Sequence, residues 1–566
     1  MELKLIMKSK IKDLMNLNLH ARLFRITSGY RMAIGKIVFL NAGYSLSGIL
    51  LAIITKTFID NAMAGDYQMT ILYGCLFAGV LLVQLVCSSY LSYSTIRLTE
   101  TMRNGLQIKL LADIYSKKWL DLNKYKTGDL LLRIYSDIGS IVTALTATLP
   151  QMFALVLQFI VAFVLVFTYS PLLAVLTFLV TPVTVFVGLV IGQKLKVVQK
   201  KIQEADALKN AIINESLQNI IILKSFDFLV KNLQKISRLQ TTHFDYVKKK
   251  NIIAIKSNVI LTLGYEIGFF AAIVFGTYGL AFQGITVGTF TAFVQLVGQI
   301  QGPIQGLAIG IPQYISSLSS VERIQELELL EDDWQQDEND LPADFVLERI
   351  VLEDVFFSYT ANRPILTDLK MIVNRGDKVA IVGPSGEGKT TLILLLLALT
   401  KPDCGQVIIE SLAGESYTMG ANTRRFFSYV PQVNTLFSGS IYDNFLLNHE
   451  VSDEELERAL VASCCKEFID ALPRGLDTLM GERGIGLSQG QAQRITIARA
   501  LLHKSPILIF DEATSALDLE TEHKLIENLK RYYPECTLIA VTHRESLFDI
   551  CDRVYRLKNG RLNIEV

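Results

Sequence analysis

The sequence predicts two unlike parts in one chain: a membrane all-α domain of six spanning helices, followed by an α/β domain built on a phosphate-binding loop. Three observations predict it. Hydrophobic residues make up 50% of the 566 positions and charged residues only 19%, with a mean hydropathy of +0.35, which is too apolar for a soluble chain of this length. The apolar residues gather into six long runs in the N-terminal half. Past Val346 the pattern changes to short apolar strands alternating with helices, the signature of an α/β domain.

A chain of this length exceeds one core. We expect a transmembrane domain over 1–327, an acidic linker over 328–346 and a nucleotide-binding domain over 347–566. Lys+Arg and Asp+Glu balance at 55 each, so global charge predicts no nucleic-acid partner. Met1 to Arg31 mixes basic and apolar residues without a compact apolar core before a small-residue cleavage site, so it is no cleavable signal peptide. Ile11 to Ile26 predicts an amphipathic helix lying along a membrane surface.

The six runs lie at 37–56, 70–93, 141–168, 171–193, 258–281 and 289–312, each long enough for a hydrocarbon core of ~30 Å. Short connections join the first and second runs, the third and fourth at Tyr169-Ser170-Pro171, and the fifth and sixth at Gly284 to Gly288. Arg97 to Arg133 and Lys194 to Lys256 are long, basic and helical in pattern. The positive-inside rule places both, with the N-terminus and the C-terminal half, in the cytoplasm. Their helices should project beyond the bilayer and end in turns near Trp119 to Leu122 and Ile213 to Leu217. Pro182, Pro303 and Pro312 mark expected kinks. Glu331 to Asp340 reads as a solvated acidic linker, and no internal repeat is evident.

The organising motif of the second part is Gly383-Pro384-Ser385-Gly386-Glu387-Gly388-Lys389-Thr390. It follows the apolar strand Val379 to Val382 and precedes a helix opening at Thr391. Glycines let backbone N–H groups curl round phosphate oxygens at a helix N-terminus. Lys389 would reach the β- and γ-phosphates of ATP or GTP, and the Thr390 hydroxyl would ligate Mg²⁺. Ile507 to Phe510 is a second apolar strand, ending in Asp511 and Glu512. Asp511 would hold Mg²⁺ and Glu512 would polarise the attacking water.

Leu487-Ser488-Gln489-Gly490-Gln491 opens a helix between these two motifs. Here the chain resembles the ATP-binding-cassette (ABC) transporters, whose signature at this place is LSGGQ. By that resemblance Tyr359 stacks on adenine and Gln432 senses Mg²⁺ and nucleotide. Asp518, in Ser515-Ala516-Leu517-Asp518, lies in the loop that crosses between paired cassettes, and His543 contacts the γ-phosphate. The family's signature clamps ATP held by the opposite chain's phosphate loop, which assigns Ser488, Gln489, Gly490 and Gln491 to nucleotide binding across a dimer. Gln489 departs from the family's glycine, and weaker closure is expected provided its φ stays negative. Thr127 to Arg133 with Asp137, Asn214 to Phe226 and Thr478 to Gly484 resemble segments of the exporter branch. The resemblance implies an ABC exporter-type fold with ATP and Mg²⁺ as ligands.

The seven cysteines form no disulfide framework; the five in the C-terminal half match no zinc spacing, and the neighbours Cys464 and Cys465 read as small buried thiols in a helix. Glu266 is a carboxylate inside a predicted span and a cargo-binding candidate. Gln295 and Gln299 stand four apart on a polar or small face continued by Gly302 and Gly306, which would line a cavity or join helices. The expected protein is a half-size exporter in the cell membrane, dimerising with itself or a related chain and moving a peptide or amphiphile. An importer on the same fold, a lipid or oligosaccharide flippase and a non-transporting ATP-dependent regulator are the alternatives. An intact Glu512 argues for turnover over pure signalling.

Overall fold

The computed structural model describes residues 17–169, 171–333, 341–342, 345–360, 363–433, 435–445, 450–481 and 486–565; between 172 and 193 it describes the backbone alone. The chain divides into two compact units, one of 1–113 with 127–329 and one of 114–126 with 330–566.

The first unit is helical. Each predicted apolar run lies in its own long helix: Arg31–Met63, Tyr67–Tyr115, the stretch from Thr127 to Tyr169, Pro171–Gln218, Leu229–Tyr278 and Val287–Glu328. At 1.5 Å per residue the 49 residues of Tyr67–Tyr115 span about 74 Å, more than twice a hydrocarbon core of ~30 Å. The helices therefore extend well past the bilayer, as the basic connections predict. Among the described residues, Arg31–Ala64, Tyr67–Tyr115 and Thr127–Thr168 are apolar enough over their length to cross a membrane. The last helix is diluted by Gln295, Gln299, Gln301 and Gln305. It runs unbroken through Pro303 and Pro312.

Where these helices meet, small and branched residues interlock: Ala52, Ala162, Ala272, Leu296 and Ile300 are all fully or nearly buried in one cluster, and small side chains allow close approach. Asp60 caps the last helix by accepting from the Gly288 N–H at 3.0 Å. A side chain at Gly288 would meet the Lys56 carbonyl at 2.2 Å. Nearer the other end, buried Asp137 takes two bonds from the Arg323 guanidinium and one from Ser320 at 2.9 Å. Arg133 pairs with Glu326 at 3.0 Å and with Asp129 at 3.1 Å. The N-terminal helix Leu17–Ile26 buries Leu19 and Leu23 and leaves Phe24 exposed. It sets His20 against Tyr314 with ring centroids 5.7 Å apart. It is thus fastened to protein on one face rather than only laid on a surface; residues 11–16 of the predicted helix lie outside the described residues.

The first turn falls where the sequence puts it, in the short helix Trp119–Leu122. The second does not. Ile213 to Leu217 continues the helix Pro171–Gln218, and the turn is made by Ile220–Ser225. The β-branched run Ile220-Ile221-Ile222 had masked the break that Asn219, at φ −110°, provides.

The second unit is α/β. An antiparallel sheet runs in the order β2-β1-β4-β5, with β1 Leu347–Thr360, β2 Arg363–Asn374, β4 Cys404–Ser411 and β5 Ser416–Thr418. A second sheet runs β12-β11-β3-β10-β9-β6, with β3 Lys378–Val382, β6 Phe427–Val430, β9 Ile507–Asp511, β10 Thr537–Val541, β11 Arg553–Lys558 and β12 Arg561–Ile564. In it β11, β3, β10, β9 and β6 are parallel, and only β12 is antiparallel. Strands β3, β9 and β10 are buried along almost their whole length, so they read as continuous apolar runs rather than alternating ones.

Cys464 is not helical: it links two short helices with φ 56°. Cys465 is fully buried, and burial pushes its thiol up to about 12. All seven cysteines are free. At the start of the acidic linker Glu331 and Asp332 are exposed, as expected, but each is also paired, and half-buried Asp333 pairs with Arg424; residues 334–340 lie outside the described residues.

Candidate functional site

Parallel pairing decides where the site sits. Val541 at the end of β10 lies opposite Ile381 of β3 on one side and Asp511 of β9 on the other. The segments that leave these three strands therefore emerge side by side: Gly383 to Lys389, Thr542-His543 and Glu512. In open α/β sheets ligands bind at this carboxyl edge.

The loop after β3 turns by means of two demanding glycines. Gly383 has φ 157°, and a Cβ there would lie 2.3 Å from the Leu557 carbonyl. Gly388 has φ 103° and caps the helix Lys389–Leu396, where a Cβ would press on Ile365 at 2.8 Å. Only glycine fits both. Lys389 is buried, and its ammonium donates to the carbonyls of Gly383 and Pro384. It also reaches His543 Nε2 at 2.8 Å. Burial lowers its pKa, against the pull of Glu512 and Asp511. Thr390 is exposed and Thr391 buried. Pro384, Ser385 and Gly386 form an exposed crest, and Glu387 accepts from the Asn559 N–H at 2.6 Å.

Asp511 is buried at the end of β9. Burial, with Glu512 beside it, raises its carboxyl above the usual range, while a hydrogen bond from Tyr429 at 3.0 Å opposes the rise. Glu512 holds φ 50°, a left-handed conformation costly for a residue with a long side chain. The bond from its N–H to the Val541 carbonyl at 2.8 Å fixes that turn. Its carboxylate accepts from Gln432 Nε2 at 2.6 Å and lies 3.7 Å from His543 Nε2. Lys389, Asp511, Glu512, His543 and Gln432 are thus one connected group drawn from four strand ends.

Tyr359, half exposed, meets the Thr391 hydroxyl at 3.2 Å and takes the edge of Phe357 with centroids 5.0 Å apart. Ser488 caps the helix Gln489–Leu502, accepting from the Gln491 N–H at 3.2 Å while the Gln491 side chain accepts from the Ser488 N–H at 2.9 Å. This reciprocal box satisfies two otherwise unpaired donors. Gln489 is the first residue of that helix, exposed and without positive φ, so the condition attached to its departure from glycine holds. Gly490 packs against the Ala516 carbonyl, 3.0 Å from where a Cβ would stand. Asp518 spends both carboxylate oxygens on Thr521, at 2.9 and 2.8 Å, as the cap of helix Leu519–Tyr532. Those bonds hold its carboxyl below the usual range.

Several contributors escape sequence reading. Gln493 is buried and bridges two segments, donating to the Glu512 carbonyl at 3.3 Å and accepting from the Ala516 N–H at 3.1 Å. Arg544 joins the carboxylate of wholly buried Glu522 at 2.9 Å to the Ser515 carbonyl at 2.7 Å. Tyr429 offered one signal: β6 sets it opposite Ile509, two residues before Asp511 on the same strand face.

In the membrane unit, Gln299 accepts from Gln158 Nε2 at 2.5 Å and packs against Gly48. It therefore ties helices together. Gln295 and Glu266 are exposed. Glu482, Arg483 and Gly484 of the exporter-like loop lie outside the described residues.

A nucleotide triphosphate suits this arrangement: a glycine loop, a buried lysine aimed across it, and two adjacent carboxylates. The family model of the ABC transporter transmembrane region matches residues 32–304, and the family model described as ABC transporter matches residues 366–515. The chain is 30% identical over 445 residues to ABC transporter B family member 29, chloroplastic, of Arabidopsis thaliana, covering 78% of this chain and 70% of that one. This chain belongs to the ABC transporters. As an ABC transporter it is a multi-pass membrane protein that binds ATP and couples its hydrolysis to transport. The ATP-dependent lipid A-core flippase of Syntrophus aciditrophicus is 29% identical over 547 residues, covering 94% of this chain and 88% of that one. A solved bacterial Atm1-family ABC exporter with ATP bound superposes with a TM-score of 0.79 at 24% identity, covering 96% of this chain and 95% of that one. At that identity the likeness is one of fold, and it extends over both parts of this ABC transporter.

Proposed function

We propose that two copies of this chain form an exporter that moves a peptide or amphiphile out of the cytoplasm, with two ATP molecules held between paired nucleotide-binding domains. The observation that carries the ATP site is the convergence of Lys389 on His543 at 2.8 Å with Glu512 at 3.7 Å from that histidine. In this reading Gly383 to Thr391 cradle the phosphates, Lys389 leaves its carbonyls for the β- and γ-phosphates, and Tyr359 stacks on adenine. Glu512 accepts the proton of the attacking water, positioned by Gln432, and His543 holds the γ-phosphate. Ser488, Gln489, Gly490, Gln491 and Asp518 complete the partner's site.

Mg²⁺ fits the residues present. Asp511 is a buried carboxylate whose charge is opposed by burial and by Glu512, and a divalent cation relieves that opposition. Asp511, Thr390 and Gln432 would hold it, and it would neutralise charge developing on the phosphates.

The dimer is supported by the second turn. Ile221, Phe226 and Val230 are 79%, 77% and 66% exposed there, outside the predicted spans, an apolar tip suited to a second copy. Basic residues in both long connections support a cytoplasmic N-terminus and nucleotide-binding domain.

Inside-out vesicles containing the chain test the direction of transport, with a fluorescent cationic amphiphile and a labelled short peptide as probes. ATP-dependent accumulation that disappears in Glu512→Gln is expected. ATP-dependent release of preloaded probe would establish import instead.

A further inference from the structure

Three acidic residues at the start of the linker are gripped from two sides. Lys117 and Asp332 form a short antiparallel bridge, flanked by the Lys118 N–H on the Glu331 carbonyl at 3.1 Å and the Asp333 N–H on the Ser116 carbonyl at 2.6 Å. The side chains add to it. Lys117, only 4% exposed, pairs with Asp332 at 2.7 Å, and Lys118 pairs with Glu331. Asp333 takes both arms of the Arg424 guanidinium, at 2.6 and 3.1 Å.

Arg424 reaches further. It donates to the Leu397 carbonyl at 3.1 Å and the Ala398 carbonyl at 2.6 Å, buried acceptors just past the helix that begins at Lys389. A guanidinium there satisfies terminal carbonyls and complements the helix dipole. Arg424 also lies in the turn Ala421–Phe426 that leads straight into β6 and on to Gln432. One side chain therefore touches the far end of the phosphate-loop helix, heads the strand leading to Gln432, and holds the linker that holds Ser116 to Lys118. Those residues continue the long helix Tyr67–Tyr115.

We propose that Arg424, Asp333, Asp332 and Lys117 form a clip that positions the first intracellular turn against the nucleotide-binding unit and passes the state of the phosphate-loop helix to it. The covalent linker is then a mechanical part of the coupling and not only a tether. The clip rests on the export proposed above, taken as a cycle in which ATP binding and hydrolysis shift the membrane helices between conformations, and its residues are positioning residues that touch no nucleotide.

The test uses the full chain in nanodiscs of phosphatidylethanolamine and phosphatidylglycerol, comparing wild type with Asp333→Asn, Asp333→Glu and the double variant Lys117→Met/Asp332→Asn. The double variant removes both charges together, so no buried ammonium is left unpaired. Hydrogen exchange is followed in peptides covering 114–126 and covering the turn Ala64 to Asp66, with and without vanadate-trapped ADP. Expected for Asp333→Asn and the double variant is exchange about tenfold faster in 114–126, basal ATPase within about twofold of wild type, and loss of the vanadate response at Ala64 to Asp66. Asp333→Glu should restore that response. A full response at Ala64 to Asp66 in both charge-removing variants overturns the clip, and so does a response that Asp333→Glu fails to restore. No response in wild type would instead overturn the proposed cycle.

Discussion

Gln432 donates its amide to the carboxylate of Glu512 at 2.6 Å, joining the segment after β6 to the residue that directly follows β9. Glu512 stands in a left-handed turn with φ 50°, so its side chain leaves the strand end at an angle that the backbone alone would not favour. The Val541 carbonyl holds its N–H and Gln432 holds its carboxylate.

Removing the base and removing its holder should therefore differ in degree. Glu512→Gln should lower ATP turnover by about 10²–10⁴-fold while keeping ATP affinity. Gln432→Ala should lower kcat by about tenfold, the effect of about 1.4 kcal/mol, with nucleotide affinity little changed. Phosphate release and fluorescent-nucleotide titration on purified protein separate the two. A Gln432→Ala chain turning over at the wild-type rate would contradict the positioning role.

Gln493 predicts a second split. Gln493→Ala strands the Ala516 N–H, at a cost of about 1–3 kcal/mol, and lowers the melting temperature by about 2–4 °C per kcal/mol. Because the same side chain braces the Glu512 carbonyl, kcat should fall more than KM rises. Gln493→Glu, when its carboxyl is protonated, keeps both the acceptor for Ala516 and a donor for the Glu512 carbonyl, so at mildly acidic pH it should recover most of the stability. Calorimetry with steady-state kinetics checks both, and equal loss in the two variants would remove the bridge from the account.

Asp511 sets a pH dependence whose sign follows from burial. Burial holds its folded-state carboxyl above the ordinary value of 3.8, so its ionisation weakens the nucleotide-free fold, and the penalty is complete once pH passes the raised folded value. Asp511→Asn should therefore melt higher than wild type near pH 7 without nucleotide. The rise should be modest, about 2–4 °C per kcal/mol, because solvent screens part of the charge. The difference should shrink as pH falls from the raised value toward 3.8. Thermal melts across that interval measure it, and a gap independent of pH would place its cause elsewhere.

Gln158 and Gln299 form a bond between helices, worth about 0.6 kcal/mol on average in membranes. Gln158→Leu or Gln299→Leu alone strands the other amide, whereas the double substitution strands neither. Each single variant should unfold earlier in detergent titration than the double variant does. A double variant as unstable as the sum of the singles would mean that the amides act apart, with cargo or solvent.

Much of this molecule is legible locally. Gly388 needs positive φ because a helix must start directly behind a loop curled on phosphate, and Ser488 with Gln491 is a capping box at a three-residue spacing. Such features depend on neighbours in sequence. Asp333 with Arg424, Gln493 with Ala516 and Tyr429 with Asp511 are partners 91, 23 and 82 residues apart. No periodicity encodes such pairs; strand order and helix docking create them. The second intracellular turn was misplaced because Ile213 to Leu217 carries Asn214, Glu215 and Ser216 between its apolar ends and so looks more like a turn than the wholly apolar run Ile220 to Ile222, whereas the break rests on the backbone of Asn219. The glutamine face was visible as a stripe, but only packing distinguishes Gln299, bonded to Gln158, from Gln295, which stays exposed.

The signature segment offers evolution one open position and one closed one. Gln489 sends its side chain into solvent from the first turn of its helix, so mutational drift there can alter charge, length or polarity without disturbing the Ser488 box. Gly490 has less room, because a side chain there would need the Ala516 carbonyl, 3.0 Å from its Cβ, to give way. If Gln489 closes on the partner's ATP as proposed, a lineage under selection to slow or quicken its transport cycle can retune position 489 repeatedly, and an engineer seeking a graded series of variants has the same adjustable residue.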